Sequence, residues 1–220
     1  MTRWMVRTLL AVAAVAAAAL APRLNAPEPR PDFIPPARRL PQTPAGSLVV
    51  LVDVSGSMSN RGKLDHARQA VRDLNARMGP MASPTVIAYA DRAHVLVAPG
   101  EVLDDAQLDL LLSTLSAKGS SNLYDGLRLA DTLTASHVQV VVITDGPANA
   151  GVVDPARFAQ LVGGMGDRSA RVSTVVLDPG ASSELDALAT AGGGWSVTTR
   201  HPRDLTLDLR RHLDLSGGAL

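Results

Sequence analysis

Three short polar segments carry oxygen-bearing side chains at spacings that suit a cation. The first is Asp53-Val54-Ser55-Gly56-Ser57, in which alternate residues offer a carboxylate and two hydroxyls. The second spans residues 119–127 and has Ser120 and Ser121 just before a predicted helix. The third is Thr144-Asp145-Gly146. Ligand sets made only of oxygen favour Mg²⁺, Mn²⁺ or Ca²⁺ over zinc or copper, so these segments predict a hard-cation site.

The elements around these segments alternate between strands and helices. Continuous apolar runs predict strands that are buried on both faces, and apolar stripes at steps of three and four predict amphipathic helices. Asn122 and Asp125 have the spacing of a reciprocal helix N-cap. The sequence predicts strands at 47–54, 85–90, 94–98, 138–143, 172–177 and 195–199, and helices at 64–78, 103–115, 122–133, 155–162, 183–191 and 203–215.

This alternation predicts an α/β fold with a doubly wound, mostly parallel sheet of six strands and helices on both faces. Residues 85–98 form a predicted hairpin around Asp91-Arg92-Ala93, which supplies one antiparallel edge strand. Ligands of such sheets bind beyond the carboxyl ends of the central strands. The three polar segments fall at or near those ends, so we expect them to converge.

In combination, the three segments resemble the metal-ion-dependent adhesion site of von Willebrand factor type A domains. The resemblance covers roughly residues 45–215, and its elements occur in the matching order. It implies that Ser55 and Ser57 bind the metal directly and that Asp53 and Asp145 bind it directly or through water. The metal implied is Mg²⁺, with Mn²⁺ and Ca²⁺ as alternatives.

The second segment departs from the family in one position. Ser121 stands where the family usually has threonine, and serine lacks the β-branch that restricts the side-chain torsion of threonine. Ser120 is an alternative for the same role because it lies in the same loop. Asn149 and Gly151 also resemble the bacterial members of the family, but no metal role is predicted for them.

The function implied by the resemblance is metal-dependent protein–protein binding, in which a partner's Asp or Glu completes the coordination of the metal. The resemblance thus implies a binding module and not an enzyme. One alternative is a Mg²⁺-dependent hydrolase or phosphatase that uses Asp53 as nucleophile, although Ser55 stands where haloacid-dehalogenase-like phosphatases have a second aspartate. Another is a scaffold without a metal function. Arg61 and Lys63 follow the first segment and are candidate contacts for an acidic partner.

The composition excludes several classes of function. The 220 residues include 21 basic and 21 acidic ones, so no excess of positive charge favours nucleic acid. Cysteine is absent, which excludes disulfides, thiolate metal sites and thiol nucleophiles. The five histidines are scattered without the spacing of metal ligands and are expected at the surface or half-buried.

The N-terminal part of the chain differs in composition from the rest. Residues 1–21 have a basic start and a short alanine-rich apolar run, which predicts a signal peptide or, if it is retained, an N-terminal membrane anchor. Residues 22–44 contain eight of the 15 prolines and are predicted to be an extended linker. The predicted domain is 45–220. We therefore expect an exported protein, periplasmic or at the cell surface, or one that touches the membrane only through the anchor.

Overall fold

The computed structural model of the chain describes residues 47–79, 82–199 and 201–215. The predicted signal segment 1–21 and linker 22–44 lie outside the described residues. Within them the order of elements along the chain follows the sequence prediction.

Six strands form a single sheet around a fully buried central strand. The strands are β1 (Leu48–Asp53), β2 (Thr85–Tyr89), β3 (Ala93–Val97), β4 (Gln139–Thr144), β5 (Arg171–Val176) and β6 (Gly193–Thr198). Their spatial order is β3-β2-β1-β4-β5-β6, and only the β2–β3 pair is antiparallel. The predicted fold class, including the antiparallel edge strand, is therefore confirmed.

Helices cover both faces of the sheet. They are α1 (Lys63–Met78), α2 (Asp105–Ser113), α3 (Leu123–Leu133), α4 (Pro155–Gly166), α5 (Ser182–Ala191) and α6 (Leu205–Leu215). One face packs against α1, α2 and α6, and the other packs against α3, α4 and α5. β1 supplies both cores, since Val50 and Val52 belong to the first and Val49 and Leu51 to the second.

Two local predictions are corrected by the structure. α4 continues to Gly166, although glycines follow Val162 and glycine disfavours a helix interior. Burial of Val162 and Met165 against the sheet offsets that cost. The reciprocal cap is one-sided: Asn122 Oδ1 accepts from the Asp125 backbone N–H, whereas Asp125 Oδ2 accepts from the backbone N–H of Ala93. The Asp125 carboxylate thus ties α3 to the edge hairpin.

Candidate functional site

The site lies where the two central strands end at the same edge of the sheet. β1 and β4 are parallel neighbours, and their register pairs Val52 with Ile143. Asp53, at the end of β1, and Thr144, at the end of β4, therefore leave the sheet side by side. The hydroxyl of Thr144 donates to Asp53 Oδ2 at 2.7 Å.

Asp53 is the buried centre of the cluster. Its side chain has no exposed surface, and its Oδ1 accepts from the backbone N–H of Ser55 at 2.8 Å. Its Oδ2 accepts from the hydroxyls of Thr144, of Ser121 at 3.1 Å and, at a longer 3.4 Å, of Tyr89. Both oxygens of this carboxylate are held in place by donors from separate parts of the chain.

Ser55 and Ser57, in the loop formed by the first polar segment, connect Asp53 to Asp145 in the loop formed by the third. Ser55 Oγ lies 3.2 Å from Ser57 Oγ, and Ser57 Oγ donates to Asp145 Oδ1 at 2.8 Å. The other oxygen of Asp145, Oδ2, accepts from Lys63 Nζ at 2.7 Å. Ser57 is exposed, so this end of the cluster faces solvent while Asp53 lies beneath it.

Backbone contacts fix the first loop against the second. The N–H of Gly56 donates to the carbonyl of Gly119 at 3.0 Å, and the N–H of Lys118 donates to the carbonyl of Val54 at 2.8 Å. Gly119 has φ of +78°, and a Cβ there would lie 2.4 Å from a carboxylate oxygen of Asp91. Only glycine suits this position.

The second loop is held by the segment that follows the third. Asn149 Oδ1 accepts from the N–H of Ser121 at 2.7 Å, and the N–H groups of Asn149 and Ala150 donate to the carbonyl of Ser121. Gly151 has φ of +68°, and a Cβ there would lie 2.3 Å from Asn122 Oδ1. Asn149 and Gly151 therefore position the loop.

All five predicted site residues are brought together. Hydrogen bonds link them into one continuous cluster: Asp53, Ser55, Ser57, Ser121 and Asp145. Of the two candidate serines, Ser121 points into the cluster, whereas the backbone N–H of Ser120 donates to Asp91 Oδ1 outside it. Lys63 is not available as a partner contact, because its side chain is buried and paired with Asp145.

Burial determines the electrostatics of Asp53 and Tyr89. Loss of water raises the pKa of the Asp53 carboxyl, an effect that the hydrogen bonds from Ser55 and Thr144 partly offset and that Asp145 reinforces. Loss of water also raises the pKa of the Tyr89 hydroxyl well above its usual value, with the Asp53 charge as a further cause. Tyr89 is therefore a neutral donor, and a positive charge beside Asp53 would relieve the cost of its burial.

The donor set fits a hard divalent cation. The cluster offers three serine hydroxyls and two carboxylates, all oxygen donors. Among the described residues, no group of three or more His, Cys, Asp or Glu side chains is placed to hold a metal. Any ion at this site would therefore depend on the serine hydroxyls.

The five histidines, at positions 66, 94, 137, 201 and 212, are exposed or half-buried, as the sequence predicted.

An apolar groove of about 390 Å³ lies beside the cluster, on the α3–α5 face. Leu123, Pro147, Phe158 and Leu188 are among the residues that line it. The polar lining residues in the described part of the chain are Ser183 and Glu184, which follow each other at the start of α5. None of the five predicted site residues lines this groove, so the loop cluster and the groove are separate features.

Comparison with known proteins finds similarity to one family. Residues 48–147, which include all five site residues, match the model of the von Willebrand factor type A domain. The Escherichia coli (strain K12) protein YfbK is 26% identical over 137 residues, which are 60% of this chain and 24% of that protein. The chain thus spans about a quarter of the length of this relative. The chain is thus similar to bacterial proteins with a von Willebrand factor type A domain.

Solved structures share the fold. A von Willebrand factor type A protein from Catenulispora acidiphila is 23% identical with a TM-score of 0.61, over 78% of this chain and 42% of that one. Proximal thread matrix protein 1 from the mussel byssus, with a zinc-occupied adhesion-site motif, is 16% identical with a TM-score of 0.62, over 80% and 49%. An aerotolerance-related membrane protein from Bacteroides fragilis is 16% identical with a TM-score of 0.57, over 77% and 98%.

These comparisons support coarse statements on function. Domains of this family are generally interaction modules without enzymatic activity, and they mediate protein–protein binding. The mussel protein among these neighbours has zinc at its adhesion-site motif. The structural neighbours include membrane-associated proteins. Among the residues that the structure describes, no helix combines the length and the apolar character needed to cross a bilayer.

Proposed function

We propose that the domain binds a protein partner through a divalent cation, and that the partner supplies an Asp or Glu side chain to that cation. The residues that would hold the cation are Asp53, Ser55, Ser57, Ser121 and Asp145. The observation that supports this most is the continuous hydrogen-bonded cluster of carboxylates and hydroxyls from three loops at one sheet edge. When bound, the ion supplies a positive field and a coordination position open to a carboxylate.

The residues of the cluster would have different roles in holding the cation. The hydroxyls of the buried Ser55 and the exposed Ser57 are neutral oxygen donors, so they leave the charge of a cation largely uncompensated. Asp53 is held from below by Thr144 and Tyr89 and would supply a buried negative charge. Asn149 would keep Ser121 in position through the loop backbone. A site of this kind attracts an acidic group more strongly than a neutral one.

Mg²⁺ is the cation that we propose, with Mn²⁺ and Ca²⁺ as the alternatives. Small hydroxyl ligands and the close approach of Gly56 to Gly119 suit a small ion with octahedral coordination. Calcium prefers a larger number of oxygens, often with bidentate carboxylates. Asp145 is already bonded through both oxygens, which disfavours bidentate binding. Titration calorimetry with the three ions tests this order.

We propose that the site is not a hydrolase. A phosphoryl-accepting aspartate must reach an external phosphate, whereas Asp53 has no exposed surface and both oxygens are hydrogen-bonded. A scaffold without a metal function is the remaining alternative. Thermal unfolding after chelation separates it from our proposal: a scaffold does not change its melting temperature when Mg²⁺ or Mn²⁺ is added, whereas a metal-binding domain is stabilised.

The N-terminal composition supports export as part of the proposed function. We propose that residues 1–21 direct the chain across a membrane or anchor it there, so that the domain meets its partner in the periplasm or at the cell surface. The membrane would be touched only through this segment. Cell fractionation, with and without residues 1–21, tests the location.

Affinity capture with the full chain tests the proposed function. The wild type, Asp53→Ala, Ser57→Ala and Ser59→Ala are compared with Mg²⁺ and with EDTA. Ser59 is a matched control because it lies in the same loop, but its hydroxyl donates to the Gly56 carbonyl and not to the cluster. We expect the wild type and Ser59→Ala to retain a partner in Mg²⁺ but not in EDTA. Asp53→Ala and Ser57→Ala should not retain it in either condition. A partner retained equally by all four proteins, with or without EDTA, would show that the cluster is not the binding surface.

A further inference from the structure

Lys63 places a fixed positive charge inside the candidate metal site. It is the first residue of α1, its side chain is only 9% exposed, and its ammonium lies 2.7 Å from Asp145 Oδ2. The second carboxylate within reach is Asp178, at 3.9 Å and 52% exposed. Because the ammonium is buried against the third loop, a partner cannot contact it directly. Its influence on the site acts through charge.

The lysine changes the net charge that a cation and its partner meet. Asp53 and Asp145 contribute two negative charges to the cluster and Lys63 one positive charge, so the set is formally −1 and not −2. A divalent ion bound there leaves a net charge of +1, whereas without the lysine the charges would cancel. The same ammonium therefore repels the entering cation and strengthens the attraction of the loaded site for an anion.

The hydrogen bonds of Asp145 point in the same direction. One of its oxygens accepts from Ser57 and the other from Lys63, so the lysine competes with a cation for this carboxylate. A carboxylate shared with an ammonium neutralises less of the charge of a nearby ion. The field that remains is available to an acidic side chain from outside the domain.

We infer that Lys63 sets the ligand preference of the site, weakening the binding of the divalent cation and strengthening the binding of a carboxylate to the cation-loaded domain. This inference rests on the proposed function and names the chemistry of the partner group: an anionic carboxylate is favoured over neutral amide or hydroxyl oxygens. One unit charge at this range, at the effective dielectric of a protein, changes each affinity by about tenfold to hundredfold.

The test compares charge with hydrogen bonding at this position. In the full chain, Lys63→Gln removes the charge but keeps a donor for Asp145, and Lys63→Arg keeps the charge. Mn²⁺ affinity is measured by electron paramagnetic resonance. Carboxylate affinity is measured from the loss of water-proton relaxation when acetate displaces water from the Mn²⁺-loaded protein, with acetamide as the neutral probe.

We expect Lys63→Gln to bind Mn²⁺ about tenfold to hundredfold more tightly than the wild type. The Mn²⁺-loaded variant should need an acetate concentration about tenfold higher or more for displacement of the metal-bound water. Lys63→Arg should match the wild type in both affinities. Equal or weaker Mn²⁺ binding by Lys63→Gln would overturn the inference and leave the proposed function standing. Absence of Mn²⁺ binding by both the wild type and Lys63→Gln would overturn both. A merely structural lysine changes stability, but it does not move the two affinities in opposite directions.

Asp178→Asn gives a second test with the opposite sign and without a change in the core. Asp178 is half-exposed and lies 3.9 Å from the Lys63 ammonium, so the variant is expected to fold. Loss of its negative charge should weaken Mn²⁺ binding about twofold to fivefold, because solvent screens it, and should strengthen acetate binding. Tighter Mn²⁺ binding by this variant would contradict the electrostatic account.

Discussion

The Lys63–Asp145 pair makes the metal-free domain sensitive to loss of the Asp145 charge. Both side chains are almost fully buried, at 9% and 5% exposure, and the ammonium–carboxylate distance is 2.7 Å. In Asp145→Asn the amide oxygen can still accept from Ser57. Its NH₂ group, however, then faces the ammonium, and two donors cannot bond each other. The lysine is left buried without a close counter-ion.

The size of this effect follows from the burial of the pair. Removing one partner of a buried ion pair costs about 3–5 kcal/mol, because an uncompensated charge remains. Asp178 is half-exposed and 3.9 Å from Lys63. A surface-type pair of this kind recovers up to about 1 kcal/mol. We therefore expect a loss of about 2–4 kcal/mol, which lowers the melting temperature by roughly 5–15 °C for a domain of this size.

Thermal unfolding followed by circular dichroism in EDTA measures the shift. Asp131→Asn is the control, since it breaks the exposed pair with Arg168 and should cost less than about 1 kcal/mol. The double variant Lys63→Gln/Asp145→Asn removes both charges and should return to within about 1 kcal/mol of the wild type. Two results would contradict this expectation. One is a melting temperature of Asp145→Asn within roughly 2 °C of the wild type, which is about the resolution of the method. The other is a double variant that is no more stable than Asp145→Asn.

Two further changes act on the same site with different signs. Asp53→Asn should stabilise the metal-free domain, because the raised pKa of Asp53 means that ionisation of this carboxyl is unfavourable in the folded state. In thermal unfolding, the wild type should lose stability relative to this variant as the pH rises above about 4 and through the raised pKa. Mn²⁺ should stabilise only the wild type. Gly151→Ala should lower the free energy of unfolding by about 1–3 kcal/mol and weaken Mn²⁺ binding, since φ is +68° and the added Cβ overlaps Asn122. Gly163→Ala, in the open interior of α4, should instead raise the free energy of unfolding by up to about 1 kcal/mol. Equal stabilities in chemical denaturation and equal Mn²⁺ affinities in calorimetry for the two variants would contradict this.

The sequence predicted the fold and the five clustered residues because their signals are local. Asp53, Ser55 and Ser57 form a short pattern at the end of an apolar run, and the parallel strands bring such ends to one edge of the sheet. Asp145 follows the neighbouring strand for the same reason. Their assignment as metal ligands remains a prediction, as do the domain boundaries at 21 and 44.

The supporting contacts were not visible in the sequence because they join distant positions. Tyr89 reads as an ordinary strand residue, and Thr144 belonged to the third polar segment without a predicted role of its own, although both donate to Asp53. The choice between Ser120 and Ser121 depends on which side chain the loop turns inward. The sequence made Lys63 a candidate contact for an acidic partner, and only the folded structure shows that its side chain is buried against Asp145.

Isothermal titration calorimetry of the full chain with Mn²⁺ tests whether these loops hold a metal ion. Ser57→Ala and Ser59→Ala change the same side chain in the same loop, inside and outside the cluster. We predict one Mn²⁺ per chain for the wild type and Ser59→Ala, and at least tenfold weaker binding for Ser57→Ala. No binding by the wild type at millimolar Mn²⁺, or equal affinities for all three proteins, would contradict a metal site at these loops.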